Sequence, residues 1–200
     1  MTLGKRFGDA LQYAITAHDN HVRKGTEIPY ISHLLGVASL VIEHHGSEDE
    51  AIAALLHDAV EDAGGLPRLK DIQEKFGNEV ARIVEGCTDA YTDPKPPWRP
   101  RKEAYINHLS DADESILLVA AADKLHNVRA ILRDYREIGE RLWTRFNATK
   151  EEELWYYRSL SDTFNARMGG RLVPLCTELD HTVSELEALA GKKERLTMGG

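Results

Sequence analysis

The chain has 200 residues, 42% hydrophobic and 29% charged, and a net charge of −8 at neutral pH. That balance suits one soluble domain with a substantial core, expected over 1–190, followed by a flexible polar tail over 191–200. The acidic charge argues against a nucleic-acid partner, and no apolar run reaches the roughly 20 residues that a membrane span needs. Lys5, Arg6 and Asp9 interrupt the start, where a secretory signal would be apolar. Cys87 and Cys176 are too few and too far apart for a disulfide framework. A cytoplasmic setting is the expectation.

Phe7, Leu11, Ala14 and Ile15 recur at helical spacing and predict a first helix to about residue 18. A loop follows, broken by Gly25 and Pro29. Its adjacent cations Arg23 and Lys24 read either as an anion-holding turn or as a solvated basic one. Ser32 is expected to cap a second helix, in which His33 is a polar residue in the first turn of an apolar segment. Ser47 is expected to cap a third helix that runs through Asp62 to a stop at Gly64-Gly65.

That third helix carries the sequence His57-Asp58-Ala59-Val60-Glu61-Asp62. At about 100° per residue, the four ionisable groups fall within about 140° of arc, while Leu55, Leu56, Ala59 and Val60 fill most of the rest. Three crowded carboxylates repel one another, and burying them unpaired is costly. A bound divalent cation is the simplest remedy, and a solvated acidic face is the plain alternative.

Shorter helices are expected at about 69–76 and 78–90. A stiff loop at 93–100 follows, holding Pro94, Pro96, Pro97 and Pro100 and ending in the cations Arg99, Arg101 and Lys102. Helices are then expected at 101–109 and 113–135. In the second of these, Asp123 directly follows the apolar run Ile116 to Ala122, and Asn127 lies one turn further on the same face. Two last helices, 149–166 and 171–190, are separated by Gly169-Gly170. There is no repeat, heptad seam, glycine-rich nucleotide loop or alternating strand pattern, so the expected fold is an irregular all-α multi-helix bundle.

His33, His57, Asp58 and Asp123 are thus polar intruders in three apolar helices. Two histidines and two aspartates suit one Mn²⁺ or a similar ion. The order His…His-Asp…Asp resembles the HD-domain metal-dependent phosphohydrolases. The segments Arg23-Lys24-Gly25-Thr26, Pro29-Tyr30-Ile31-Ser32-His33, His57 to Asp62 and Asp123 to Arg129 resemble the hydrolase half of the Rel/Spo proteins, which degrade the alarmones ppGpp and pppGpp. The resemblance spans about residues 5–165 and implies a stand-alone small alarmone hydrolase.

It further implies one Mn²⁺ on His33, His57, Asp58 and Asp123, with Glu61 and Asp62 handling the attacking water. Arg23, Lys24 and Asn127 become nucleoside contacts, with Lys102, Lys124 or Arg129 as further counter-charges. Dinuclear relatives place extra histidines where Glu61 and Asp62 stand, which favours a single ion. The partner implied is a small nucleotide. Two alternatives stay open: the same scaffold acting on another phosphorylated nucleotide such as NADPH, and a non-catalytic nucleotide sensor. Intact Glu61 and Asp62 argue against the sensor.

Overall fold

Capping chemistry written in the sequence starts several of the helices. Ser47 accepts from the Glu50 N–H while the Glu50 carboxylate accepts from the Ser47 N–H, and this reciprocal pair opens α3 (Glu48–Leu56). Asp113 accepts from the N–H groups of Ser115 and Ile116 to open the long α8 (Glu114–Ile138). Thr149 and Glu152 form a second reciprocal cap for α9 (Lys150–Arg167). The other helices are α1 (Lys5–Ala17), α2 (Ile31–Glu43), α4 (Ala59–Asp62), α5 (Gly65–Phe76), α6 (Asn78–Cys87), α7 (Trp98–Asp111) and α10 (Leu172–Thr197). A 3₁₀ segment, Gly139–Arg145, follows α8 in a stretch with no apolar periodicity to announce it.

The structure is a computed structural model that describes residues 2–62, 64–91 and 94–197, with side chains as far as residue 191. Among them the fold is all-α. An isolated antiparallel bridge between Val22 and Pro29 closes the loop that carries Arg23 and Lys24. Residues 192–200, most of the expected tail, lie outside the described side chains, and the backbone of α10 runs to Thr197.

Three expectations are corrected. The loop expected at 93–100 ends sooner, because α7 starts at Trp98 and holds Pro100 in its first turn, where the missing N–H costs no helical hydrogen bond. Ser32 does not cap α2. The chain already turns at Pro29-Tyr30, and the carbonyls of these two residues accept from the N–H groups of Ser32 and His33, so no hydroxyl is needed. Nor does one helix run from Ser47 to Asp62. The Ala54 carbonyl, which in a continuous helix would serve the Asp58 N–H, accepts instead from His57 Nδ1 at 2.8 Å. The ladder therefore breaks at His57-Asp58, and α4 begins beyond it.

The core is built around α3, whose residues from Ala51 to Leu56 are fully buried, and the apolar first half of α8. Both pack against α2, and α8 also packs against α10. The first turn of α2, the break after α3 and the middle of α8 thus meet inside the bundle.

Candidate metal centre

His33 comes from α2, His57 and Asp58 from the break, and Asp123 from α8. His33 Nε2 lies 3.4 Å from Asp58 Oδ2 and 3.2 Å from Asp123 Oδ1. His57 Nε2 lies 3.1 Å and 3.6 Å from the same two oxygens. Donor atoms that share one ion at bonds of about 2.0–2.2 Å stand roughly 3–3.5 Å from one another, and His33, His57 and Asp58 each offer an atom close to the other two, with Asp123 Oδ1 beside both ring nitrogens. Both Nε2 atoms are buried and make no hydrogen bond of proper geometry. Buried polar atoms without partners are rare, and an ion among these four donors would satisfy both nitrogens. The residues present therefore fit a divalent metal.

The remaining atoms of the four side chains are tied down. His57 Nδ1 donates to the Ala54 carbonyl, which turns the Nε2 lone pair towards the carboxylates. His33 Nδ1 sits 2.9 Å from His126 Nδ1. The Tyr30 hydroxyl donates to Asp58 Oδ2 at 2.7 Å. Asp123 takes the Lys124 ammonium on Oδ2 at 2.6 Å and the Asn127 amide on Oδ1 at 2.5 Å. Burial alone would raise the Asp123 carboxyl, but Lys124 and the two imidazoles hold it well below the usual carboxylate range. Gly36 leaves the space that the His126 ring fills, since a Cβ there would collide with it.

Glu61 and Asp62 stand one turn beyond Asp58, and the Asp62 N–H donates to the Asp58 carbonyl. Lys95, on the loop before α7, places its ammonium 2.6 Å from Glu61 Oε1 and 3.5 Å from Asp62 Oδ1. Burial, and then the neighbouring Asp89 charge, push the Glu61 carboxyl up to about 7; burial and the Asp58 charge raise Asp62 as well. A carboxyl that titrates near neutrality can exchange a proton with water at working pH. Asp89 is itself paired with Arg101 at 2.5 Å and Lys102 at 2.6 Å.

On the other flank, Arg23 donates to Asn127 Oδ1 at 2.6 Å, so a chain of hydrogen bonds runs from Arg23 through Asn127 to Asp123. The Arg23 guanidinium lies 5.7 Å from the centre of the Tyr30 ring, and Lys24 lies 5.5 Å from that of Phe146. Arg23, Lys24 and Asn127 line a cleft of about 500 Å³, together with His126, Arg145 and Phe146. Gly25, at φ +70°, lets Arg145 pack where a side chain would stand.

Nine of the twelve residues singled out in the sequence gather in one region: His33, His57, Asp58 and Asp123, the acid pair and the three cleft residues. Of the three further cations, Lys124 pairs with Asp123 and Lys102 with Asp89 beside them. Arg129 does not join them, since it pairs with Glu178 of α10. Sequence reasoning missed His126, Lys95, Asp89 and Arg145. His126 had a usable signal, lying three residues after Asp123 on an apolar helix. Lys95 and Arg145 sit in irregular segments and had none.

Residues 10–151 match the family model described as HD domain. The chain is 39% identical over 128 residues to the guanosine-3′,5′-bis(diphosphate) 3′-pyrophosphohydrolase MESH1 of Xenopus tropicalis, covering 62% of this chain and 69% of that one. It is 29% identical over 195 residues to the bifunctional (p)ppGpp synthase/hydrolase SpoT of Escherichia coli, covering 84% of this chain but 27% of that longer protein. A solved structure of a metazoan ortholog of SpoT, which hydrolyzes ppGpp and plays a role in starvation responses, superposes with a TM-score of 0.74 at 26% identity, over 92% of this chain and 97% of that one.

Proposed function

The chain belongs to the HD domain family, and from that premise we propose that it is a Mn²⁺-dependent hydrolase removing the 3′-pyrophosphate of ppGpp and pppGpp, leaving GDP and GTP, in the cytoplasm. The observation that carries the reading is the convergence of His33, His57, Asp58 and Asp123, with two orphaned ring nitrogens, beside a cleft lined by Arg23 and Lys24. MESH1 and SpoT, named for this substrate, support it.

His33, His57, Asp58 and Asp123 would hold the ion, which when bound supplies water activation and neutralises phosphoryl charge. The chain's own groups do the rest. Glu61 takes the proton of the attacking water, and its carboxyl near neutrality suits that exchange. The new bond forms between the water oxygen and the phosphorus attached to the 3′-oxygen. The phosphorus–O3′ bond breaks, O3′ takes a proton from solvent to become the ribose hydroxyl, and Glu61 returns its proton to solvent, so the protons balance. Asp62 orients the water from the same turn. Arg23 stacks on the purine, while Lys24 and Asn127 hold its polar edge or the sugar, which puts the 3′ side of the nucleoside towards the donors. The 5′-phosphates then face solvent and the rim cations.

Purified protein given ppGpp and Mn²⁺ should consume the nucleotide, and a chelator should stop it. Absence of turnover with Mn²⁺ and with other divalent ions would overturn the reading.

A further inference from the structure

We propose that Lys95 is an exchangeable cation: it holds Glu61 and Asp62 in the free enzyme and moves onto the pyrophosphate group when substrate enters. The inference rests on the function proposed above and deepens it by naming the residue that takes the distal phosphoryl.

Its resting contacts occupy the acids that are assigned to the water: the ammonium stands 2.6 Å from Glu61 Oε1 and 3.5 Å from Asp62 Oδ1. A water held by those carboxylates competes with the ammonium for the same oxygens.

The substrate is a polyanion entering a region that already holds Asp58, Glu61, Asp62, Asp89 and Asp123. Each of those carboxylates repels it, so counter-charge must be made available locally. Among the described residues four cations stand there, and three are committed. Arg101 and Lys102 share one oxygen of Asp89, with side chains 11% and 16% exposed, and Lys124 sits on Asp123 at 13%. Lys95 is 38% exposed, on a loop rather than a helix, and among the described residues its ion pairs are with these two acids. It is the cation with room to move. A lysine ammonium is a compact charge on a flexible four-carbon stem, so exchanging carboxylate for phosphoryl oxygens needs rotamer changes and no refolding.

The placement also suits the end of the substrate that it would meet. The two oxygens of Asp123 face different flanks: Oδ1 takes Asn127 from the nucleoside cleft and Oδ2 takes Lys124. Lys95 and Arg101 lie with the acid pair, and Lys102 shares Asp89 with Arg101, whereas Arg23 and Lys24 lie with Asn127. A nucleoside seated in the cleft, with its 3′-phosphorus at the donors, sends the distal phosphoryl group towards the Lys95 side. Arg101 Nε there is buried without a partner.

Product inhibition of the Mn²⁺-loaded protein separates the two ends of the substrate. In Lys95→Ala the inhibition constant of inorganic pyrophosphate should rise about tenfold or more, as for a lost charge-assisted contact, while that of GDP stays within about twofold. Lys95→Arg should restore most of the pyrophosphate affinity. Unchanged pyrophosphate inhibition in Lys95→Ala, or equal weakening of both products, overturns the proposal. If the wild-type protein does not turn over ppGpp, the proposed function fails by itself. Calorimetric titration of pyrophosphate into wild type and Lys95→Ala then still decides Lys95: about tenfold weaker binding supports it, and equal binding overturns it.

Discussion

His33 and His57 each engage one ring nitrogen within the protein and turn the other towards Asp58 and Asp123, so removing one donor should empty the site without dismantling the bundle. His57→Ala and Asp58→Ala should purify with little bound metal and no turnover, as read by elemental analysis; full metal content in both would dissolve the centre. Glu61 is set apart from the four donors by one turn and by its contact with Lys95. Glu61→Gln should therefore keep its metal while kcat falls by a factor of ~10² or more, as for a lost acid–base group. Unaltered kcat would remove Glu61 from the chemistry. In the role proposed for it, Arg23 would hold the nucleoside in ground and transition states alike, so Arg23→Ala should raise KM with little change in kcat. A loss confined to kcat would contradict that role.

Among the helices, the point where α3, α8 and α10 come together depends on one buried carboxylate. Glu50 caps α3 and receives both terminal nitrogens of Arg171, which also reaches Glu114 at the start of α8. Burial would raise Glu50, but its hydrogen bonds from Arg171 and the α3 cap outweigh that and hold it at about 2, against an ordinary value of 4.5. Its contribution is therefore present above pH 4.5 and is lost as the pH falls towards 2, with a size of about 3 kcal/mol. Glu50→Gln should lower stability by about that amount at neutral pH and flatten the acid limb of the stability profile in denaturant titrations. An acid limb identical to wild type would contradict it. Helix existence was legible in the sequence because the cap at Ser47 and the apolar runs of α3 and α8 agree with each other, and the structure adds caps at Asp113 and Thr149. The break at His57-Asp58 was not, because it arises from a ring nitrogen competing for a backbone carbonyl, which leaves no mark on residue periodicity. That His33, His57, Asp58 and Asp123 stand out was legible because each is a polar residue inside an apolar run; that they meet at one point is a property of the fold. Lys95 was not, because a lysine in a proline-rich loop is ordinary until the fold sets it beside Glu61.

For the whole molecule, three separate helical regions are tied together at the site, so an ion bound there must stabilise the native bundle. At a hundredfold excess over Kd the gain is about 2.7 kcal/mol, or roughly 5–10 °C in Tm for a chain of this size. Mn²⁺ should raise the Tm of wild type and leave that of His57→Ala unmoved; equal shifts in both would place the ion elsewhere. A net charge of −8 does not draw a polyanion in, so binding should depend on the local cations and the ion. The account stands most directly on the identity of the products. When ppGpp is turned over with Mn²⁺ in ¹⁸O-labelled water, phosphorus NMR and mass spectrometry should find GDP without label and intact pyrophosphate carrying one labelled oxygen. Orthophosphate as the product, or cleavage at the 5′ end, would contradict it.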